Sequence, residues 1–340
     1  MVTQFDMESR LVRYAELRPC TTAFIDTRTP GSEGKENFTI IGGGVAENPN
    51  QFVHIDLPHG FNIGAARQSP GCVNSQHSHE TAEVFIVHTG KWRFKTGHDG
   101  TDGYIDLAPG DTISLPTNVF RGFENIGEDI GFLFAVLGGD NPGHVTWAPY
   151  VFDRAARYGM RLLASGRLVD TTIETLKDGD ALMPPTSLAE VAHFDRYDTQ
   201  ALQRCVARDQ ELVPEGDLSK IEGISECPVA GVANAAEGMP AAPIGWAHGF
   251  QVRALRLGPH SASPPLVRHE EEVFLMHRGI ITIEWPNGHL QLSSGDTLTI
   301  PRGLARRYVN TTAEQGIAHI VRAGDHPHAL NWTSPLDTLG

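Results

Sequence analysis

Gln76-His77-Ser78-His79-Glu80-Thr81-Ala82-Glu83 is the stretch on which the reading of this chain turns. In a β-strand, residues i and i+2 project to the same side, so His77 and His79 aim two imidazoles at one point. Glu83 keeps the same parity and brings a carboxylate to that point if the chain turns back beside the strand. Two neutral imidazoles and one carboxylate form a facial ligand set for a borderline divalent ion, with open positions left for substrate.

Outward from this stretch the sequence repeats itself. His59-Gly60-Phe61 recurs 189 residues later as His248-Gly249-Phe250. The same offset carries Arg67 onto Arg256, Glu83-Val84-Phe85 onto Glu272-Val273-Phe274, and Gly90 onto Gly279. After a longer turn in the first copy the offset falls to 185, and Pro116, Arg121, Asn125 and Trp147 meet Pro301, Arg306, Asn310 and Trp332. Matches held in register over this length mark an internal duplication. In the second copy Leu266 stands for His77 and Arg268 for His79, while Glu272 persists. His269 is one residue out of register, and a one-residue slip turns a side chain to the opposite face. The second copy is therefore expected to hold no catalytic metal, and the scaffold does not need the two histidines to fold.

Each copy reads as β. Val84-Phe85-Ile86-Val87 and Val273-Phe274-Leu275-Met276 are short apolar runs ahead of a glycine turn, and Thr112 to Leu115 alternates before Pro116. The 36 glycines and 22 prolines suit many short strands joined by tight turns. Between the copies, apolar residues at helical spacing predict a helix over Phe152 to Leu163, with further helices over Ser187 to His193 and Thr199 to Arg208. Residues 210–240, rich in Gly, Pro, Ala and Glu, read as a surface excursion.

Composition narrows the partners. Lys+Arg is 27 against 41 Asp+Glu, a net charge of −14, which excludes nucleic acid or an anionic membrane as the main partner. No apolar run approaches the roughly 20 residues of a membrane span. The N-terminal residues lack the basic and apolar regions of a signal peptide, and the four cysteines lie far apart, so a cytoplasmic protein with free thiols is expected.

Gly71-x5-His77-x-His79-x3-Glu83-x6-Gly90 resembles the first motif of the cupin superfamily, and Gly110-x5-Pro116 followed by Asn125 resembles the second. With the second copy, most of the chain resembles a bicupin. The resemblance implies an all-β fold of two tandem cupin barrels (double-stranded β-helix, jelly-roll) with a short helical linker segment. The expected divisions are an N-terminal arm over 1–40, a barrel with the metal site over 41–149, a helical linker and excursion over 150–225, and a barrel with a degenerate site over 226–340. It implies a small-molecule substrate and a homodimer or larger homo-oligomer. The expected activity is that of a metal-dependent oxidoreductase, a dioxygenase acting on a small organic acid or aromatic compound. Fe(II) would sit on His77, His79 and Glu83, with Mn, Ni or Zn as other candidates. The alternatives are a lyase or isomerase using the ion as a Lewis acid, and a non-catalytic small-molecule-binding bicupin.

One position departs from the family. Where the second motif usually supplies a further histidine ligand, this chain has Arg121, and Arg306 in the other copy. Arginine stays protonated and is not a usual ligand. Arg121 either anchors a substrate carboxylate, as a catalytic residue, or pairs with Glu83; such a pair would neutralise a metal-free pocket and count against a metal. Gln76, Trp92 and Phe94 are candidates to touch substrate, and Asn74 to orient it. His59 and His248 occur in both copies and read as structural.

Overall fold

The apolar run over residues 132–137, bounded by Gly131 and Gly138, becomes a buried strand, as does the run over residues 84–87. The computed structural model describes residues 2–334; the last six residues of the expected C-terminal barrel lie outside the described residues. The chain divides into two units, Arg18–Val206 and Met1–Leu17 together with Ala207–Gly340.

The N-terminal unit contains β1 (Glu36–Ile41), β2 (Val53–Ile55), β3 (Phe61–Gln68), β4 (Val73–His79), β5 (Glu83–Thr89), β6 (Trp92–Thr96), β7 (Gly103–Leu107), β8 (Thr112–Leu115), β9 (Arg121–Asn125), β10 (Gly131–Gly138) and β11 (Val145–Trp147). One sheet carries the order β8-β5-β10-β3-β1-β2, the other β11-β4-β9-β6-β7. The pairs are antiparallel except β1 with β2. Inward residues of both sheets enclose the barrel interior. The second sheet is covered outside by Ile25, Phe120, Val151, Ala155 and Met160, which explains why β4 is buried on both faces.

The covering helix, α1 (Pro149–Arg157), starts on a proline at its first turn and buries Val151 and Ala155, four residues apart. The sequence pattern placed this helix over Phe152 to Leu163. It stops instead before Gly159, whose φ of +81° is left-handed, and Met160–Leu162 continues as a strand paired with Leu168–Asp170. The two later helices are short, Leu188–Val191 and Thr199–Gln203, capped by the side chains of Ser187 and Asp198.

The C-terminal unit contains β12 (Ile224–Ala230), β13 (Phe250–Leu257), β14 (Glu272–Arg278), β15 (Ile280–Trp285), β16 (Gly288–Ser293), β17 (Thr297–Ile300), β18 (Arg307–Val309) and β19 (Gly316–Ala323). One sheet runs β17-β14-β19-β13-β12, with Leu11–Val12 added beyond β17; a second runs β16-β15-β18. Segment 210–240 is thus not a surface excursion throughout, since β12 is a buried strand paired along β13. The expected 1–40 arm is divided. Met7 is fully buried in the core of this unit, and Arg13 pairs with Asp296 at 2.6 Å, whereas residues 18–40 belong to the N-terminal unit.

The duplication holds at atomic detail. Asn125 and Asn310 each donate from Nδ2 to a carbonyl at the end of a strand of the opposite sheet, Gln68 at 2.9 Å and Leu257 at 3.0 Å. The His59 and His248 backbone amides each donate to an aspartate, Asp140 and Asp325, at 3.0 Å, so the two copies share the same turn.

Candidate metal centre

The centre forms where β4 meets β5 and β9. Arg121 lies opposite His77 in the ladder, but Phe123 lies opposite Asn74, so three residues of β4 span two of β9. This bulge reverses the parity of β4 between Asn74 and His77. Asn74, His77 and His79 therefore all reach the barrel interior, while Gln76 points away. The turn over Glu80–Ala82 then returns the chain so that Glu83 opens β5 beside the histidines.

One ligand atom from each of His77, His79 and Glu83 falls within 4.8 Å of the others, and all three residues are buried. His77 Nδ1 lies 2.8 Å from the Ser75 carbonyl, which can only accept, so Nδ1 carries the proton and Nε2 keeps its lone pair. His79 Nε2 stands 3.4 Å from Glu83 Oε1, and His79 Nδ1 has no hydrogen-bond partner among the described residues. Burial, reinforced by the Arg121 charge, pushes His77 down to about 3 and His79 well below its ordinary value. Both imidazoles are thus neutral at neutral pH, the form a metal requires. The donor set fits a divalent transition ion: two neutral nitrogens and one carboxylate oxygen converge.

Arg121 is fully buried and pairs with Glu83, Nε and Nη2 both 3.2 Å from Oε2, while Nη1 donates to the Val119 carbonyl at 3.0 Å. The pair that would count against a metal is therefore present. It occupies only one carboxylate oxygen and leaves Oε1 on the histidine side. Burial still holds the Glu83 carboxyl up at about 7, so one guanidinium does not offset the desolvation.

The second copy shows what full compensation looks like. Arg306 repeats Arg121, donating to the Leu304 carbonyl at 3.0 Å and pairing with Glu272. Arg268, in the place of His79, adds its Nε 3.2 Å from Glu272 Oε1, and Tyr308 donates to Oε2 at 2.7 Å. Against the cost of burial, Arg306 and then Arg268 hold Glu272 down at about 2. Arg268 also reaches Glu237 at 2.6 Å and Glu226 at 3.2 Å, where Arg253 and Arg322 join the cluster. A guanidinium fixed to the chain thus stands where the first copy presents a neutral imidazole.

The triad opens on a cavity of about 80 Å³ walled mainly by Phe24, Phe38, Phe85, Phe123, Leu133 and Trp147. Trp92 and Phe94, expected to touch substrate, are buried with Phe123 in the core and do not reach this wall. Gln76 donates to the Gly97 carbonyl at 2.6 Å on the outer face. Arg121 stands behind Glu83 and also stays off the wall.

Several participants escaped the sequence reading. Lys35 and Asp26, both fully buried, form an ion pair; Lys35 Nζ also donates to Asn74 Oδ1 at 2.9 Å, and Asn74 Nδ2 lies 3.4 Å from His77 Nδ1. Nothing in the local pattern marks this pair. Glu47 accepts from Trp147 Nε1 at 2.6 Å and from the Ile25 amide at 2.7 Å, and burial pushes it up to about 8. For the second copy a signal did exist: Arg253 and Arg322 interrupt apolar strands, and a buried arginine requires a carboxylate partner.

Two tandem jelly-roll barrels, the first with an inward His-x-His-x3-Glu, give this chain a bicupin fold. Solved structures share it nearly end to end. The oxalate decarboxylase of Lactobacillus farciminis, as a formate complex, superposes with a TM-score of 0.57 at 12% identity, over 96% of this chain and 90% of that one. The oxalate decarboxylase of Bacillus subtilis at pH 4.6 superposes with a TM-score of 0.57 at 13% identity, over 95% and 78%. No protein-family model matches the sequence, and no curated protein does. No described helix is long and apolar enough to cross a membrane.

Proposed function

We propose that this chain is a metal-dependent lyase of the decarboxylase type acting on a small carboxylic acid, with its ion held by His77, His79 and Glu83 in the N-terminal barrel. The carrying observation is the contrast between the barrels: donors converge in the first without a cation on the histidine side, and Arg268 fills that side in the second. A bound divalent ion would supply Lewis acidity to a substrate oxygen. The chain's own groups do the rest. Ser75 fixes the His77 tautomer, Arg121 orients Glu83 from behind, and the aromatic wall excludes water from the ligand's far end.

The lyase is favoured over the dioxygenase that the ligand set first suggested, because the two solved structures compared above are oxalate decarboxylases. For the same reason iron loses its priority, and Mn(II) and Fe(II) become candidates on equal terms. The test is purification without chelators, metal analysis, and an aerobic and anaerobic screen of small carboxylic acids for CO2 release. The expected result is bound transition metal that falls below about 0.1 equivalent in His77→Ala, with turnover that consumes no stoichiometric O2. Wild-type protein without metal refutes the proposal; one O2 consumed per turnover restores the dioxygenase.

A further inference from the structure

The cavity beyond the triad carries information about the ligand. This inference rests on the metal-dependent reading above. We propose that the site takes a monocarboxylic acid with a short apolar tail, and discriminates against acids charged at both ends, oxalate included.

The wall supports this in charge, size and construction. Among the described residues, His77, His79 and Glu83 are the titratable side chains on the wall; Lys35 and Arg121 are tied to Asp26 and Glu83 behind it. A second carboxylate on the ligand would face phenyl rings, aliphatic carbon and the neutral side chains of Asn37, Thr39 and Asn74, with no cation to meet it, and a buried charge without a counter-charge is costly. The size is limited as well. A dry cavity of about 150 Å³ holds a benzene ring, so about 80 Å³ admits a tail of roughly three non-hydrogen atoms. The hollow exists because two small residues, Gly64 on β3 and Ala135 on β10, lie opposite each other in the ladder. Both are only half-buried although their strands are central in the sheet, as expected for residues facing a space. Leu133, Ala135 and Leu137 alternate along β10 on this face, so a larger side chain at 135 would project into the hollow.

The experiment is calorimetric titration of the Mn(II)-loaded full chain with acetate, butyrate, octanoate, succinate and oxalate, repeated on Ala135→Leu. Butyrate should bind about tenfold tighter than acetate, from two more buried methylenes. Octanoate should lose that gain, and oxalate and succinate should bind more weakly than butyrate. Ala135→Leu should keep its metal content and melting temperature but lose the preference for butyrate over acetate. Oxalate binding as well as butyrate, or an affinity independent of tail length in the wild type, overturns the inference while leaving the metal centre intact. If no metal is taken up, the same series on the metal-free chain separates the two ideas. A surviving length preference keeps the cavity reading and removes the lyase; no carboxylate binding removes both.

Discussion

Arg268→Leu should destabilise this protein far more than His79→Ala, although the two residues occupy the same position in the two barrels. Arg268 is 1% exposed and lies within 2.6–3.2 Å of Glu237, Glu226 and Glu272. Its removal leaves those carboxylates to Arg253, Arg306 and Arg322, with Arg322 already drawn toward Glu270 at 3.7 Å. Breaking a buried ion pair from one side costs about 3–5 kcal/mol, because the surviving charge stays desolvated. For a unit of this size that is a fall of roughly 6–20 °C in the melting temperature of the transition that reports the C-terminal unit. His79 is neutral and its Nδ1 is unpaired among the described residues, so His79→Ala in metal-free protein should cost no more than roughly 1–2 kcal/mol. The assay is differential scanning calorimetry of metal-free wild type and both variants, then with added Mn(II). Metal should raise the melting point of wild type but not of His79→Ala. Equal shifts in the two metal-free variants would refute the view that Arg268 is a built-in substitute for an exchangeable cation.

Two further predictions concern groups around the first centre. The Glu47 carboxyl, pushed up to about 8 by burial with Asp26 adding to the rise and Trp147, Ile25 and Lys35 opposing it, keeps its proton in the folded state above the ordinary value of 4.5. Between those values the unfolded chain has released the proton and the folded chain has not, so stability falls as pH rises from about 4.5 to 8, by at most roughly 5 kcal/mol. Glu47→Gln, although weaker at pH 5 through a lost acceptor, should show a shallower decline in urea midpoints between pH 5 and 8; parallel declines would remove Glu47 as the cause. Asn74→Ala leaves the Ser75 carbonyl on His77 Nδ1 in place and removes only a neighbouring amide, so metal affinity should change less than about tenfold in chelator competition, and a loss of about 10–100-fold would show that Ser75 does not hold the ring alone.

Much of the fold was open to a reading of local pattern. The repeat, at an offset of 185 residues in this stretch, placed Arg121 and Arg306 in equivalent positions, and the structure gives each a carbonyl contact at 3.0 Å and a glutamate partner. The i, i+2 spacing brought His77 and His79 to one side. Gln76 and Asn74 were both candidates to touch or orient substrate, and a β-bulge that local spacing does not reveal turns Asn74 inward and Gln76 out. Trp92 and Phe94 have the chemistry of a pocket wall, but the barrel holds more inward aromatics than its cavity can expose, and these two fill the core.

By itself the sequence determined the strand periodicity, the duplication, the convergence of two imidazoles and a carboxylate, and the loss of that set in the second copy. These are properties of spacing along one chain, set by the two-residue repeat of a strand. Tertiary structure alone decided which buried polar groups meet: Lys35 with Asp26 across nine residues, Arg268 with Glu237 across thirty-one, Trp147 with Glu47 across a hundred. Spacing carries no record of such partners, because each depends on which strands and loops come to share an interior. There, removal from water makes every unpaired charge costly enough to choose a partner.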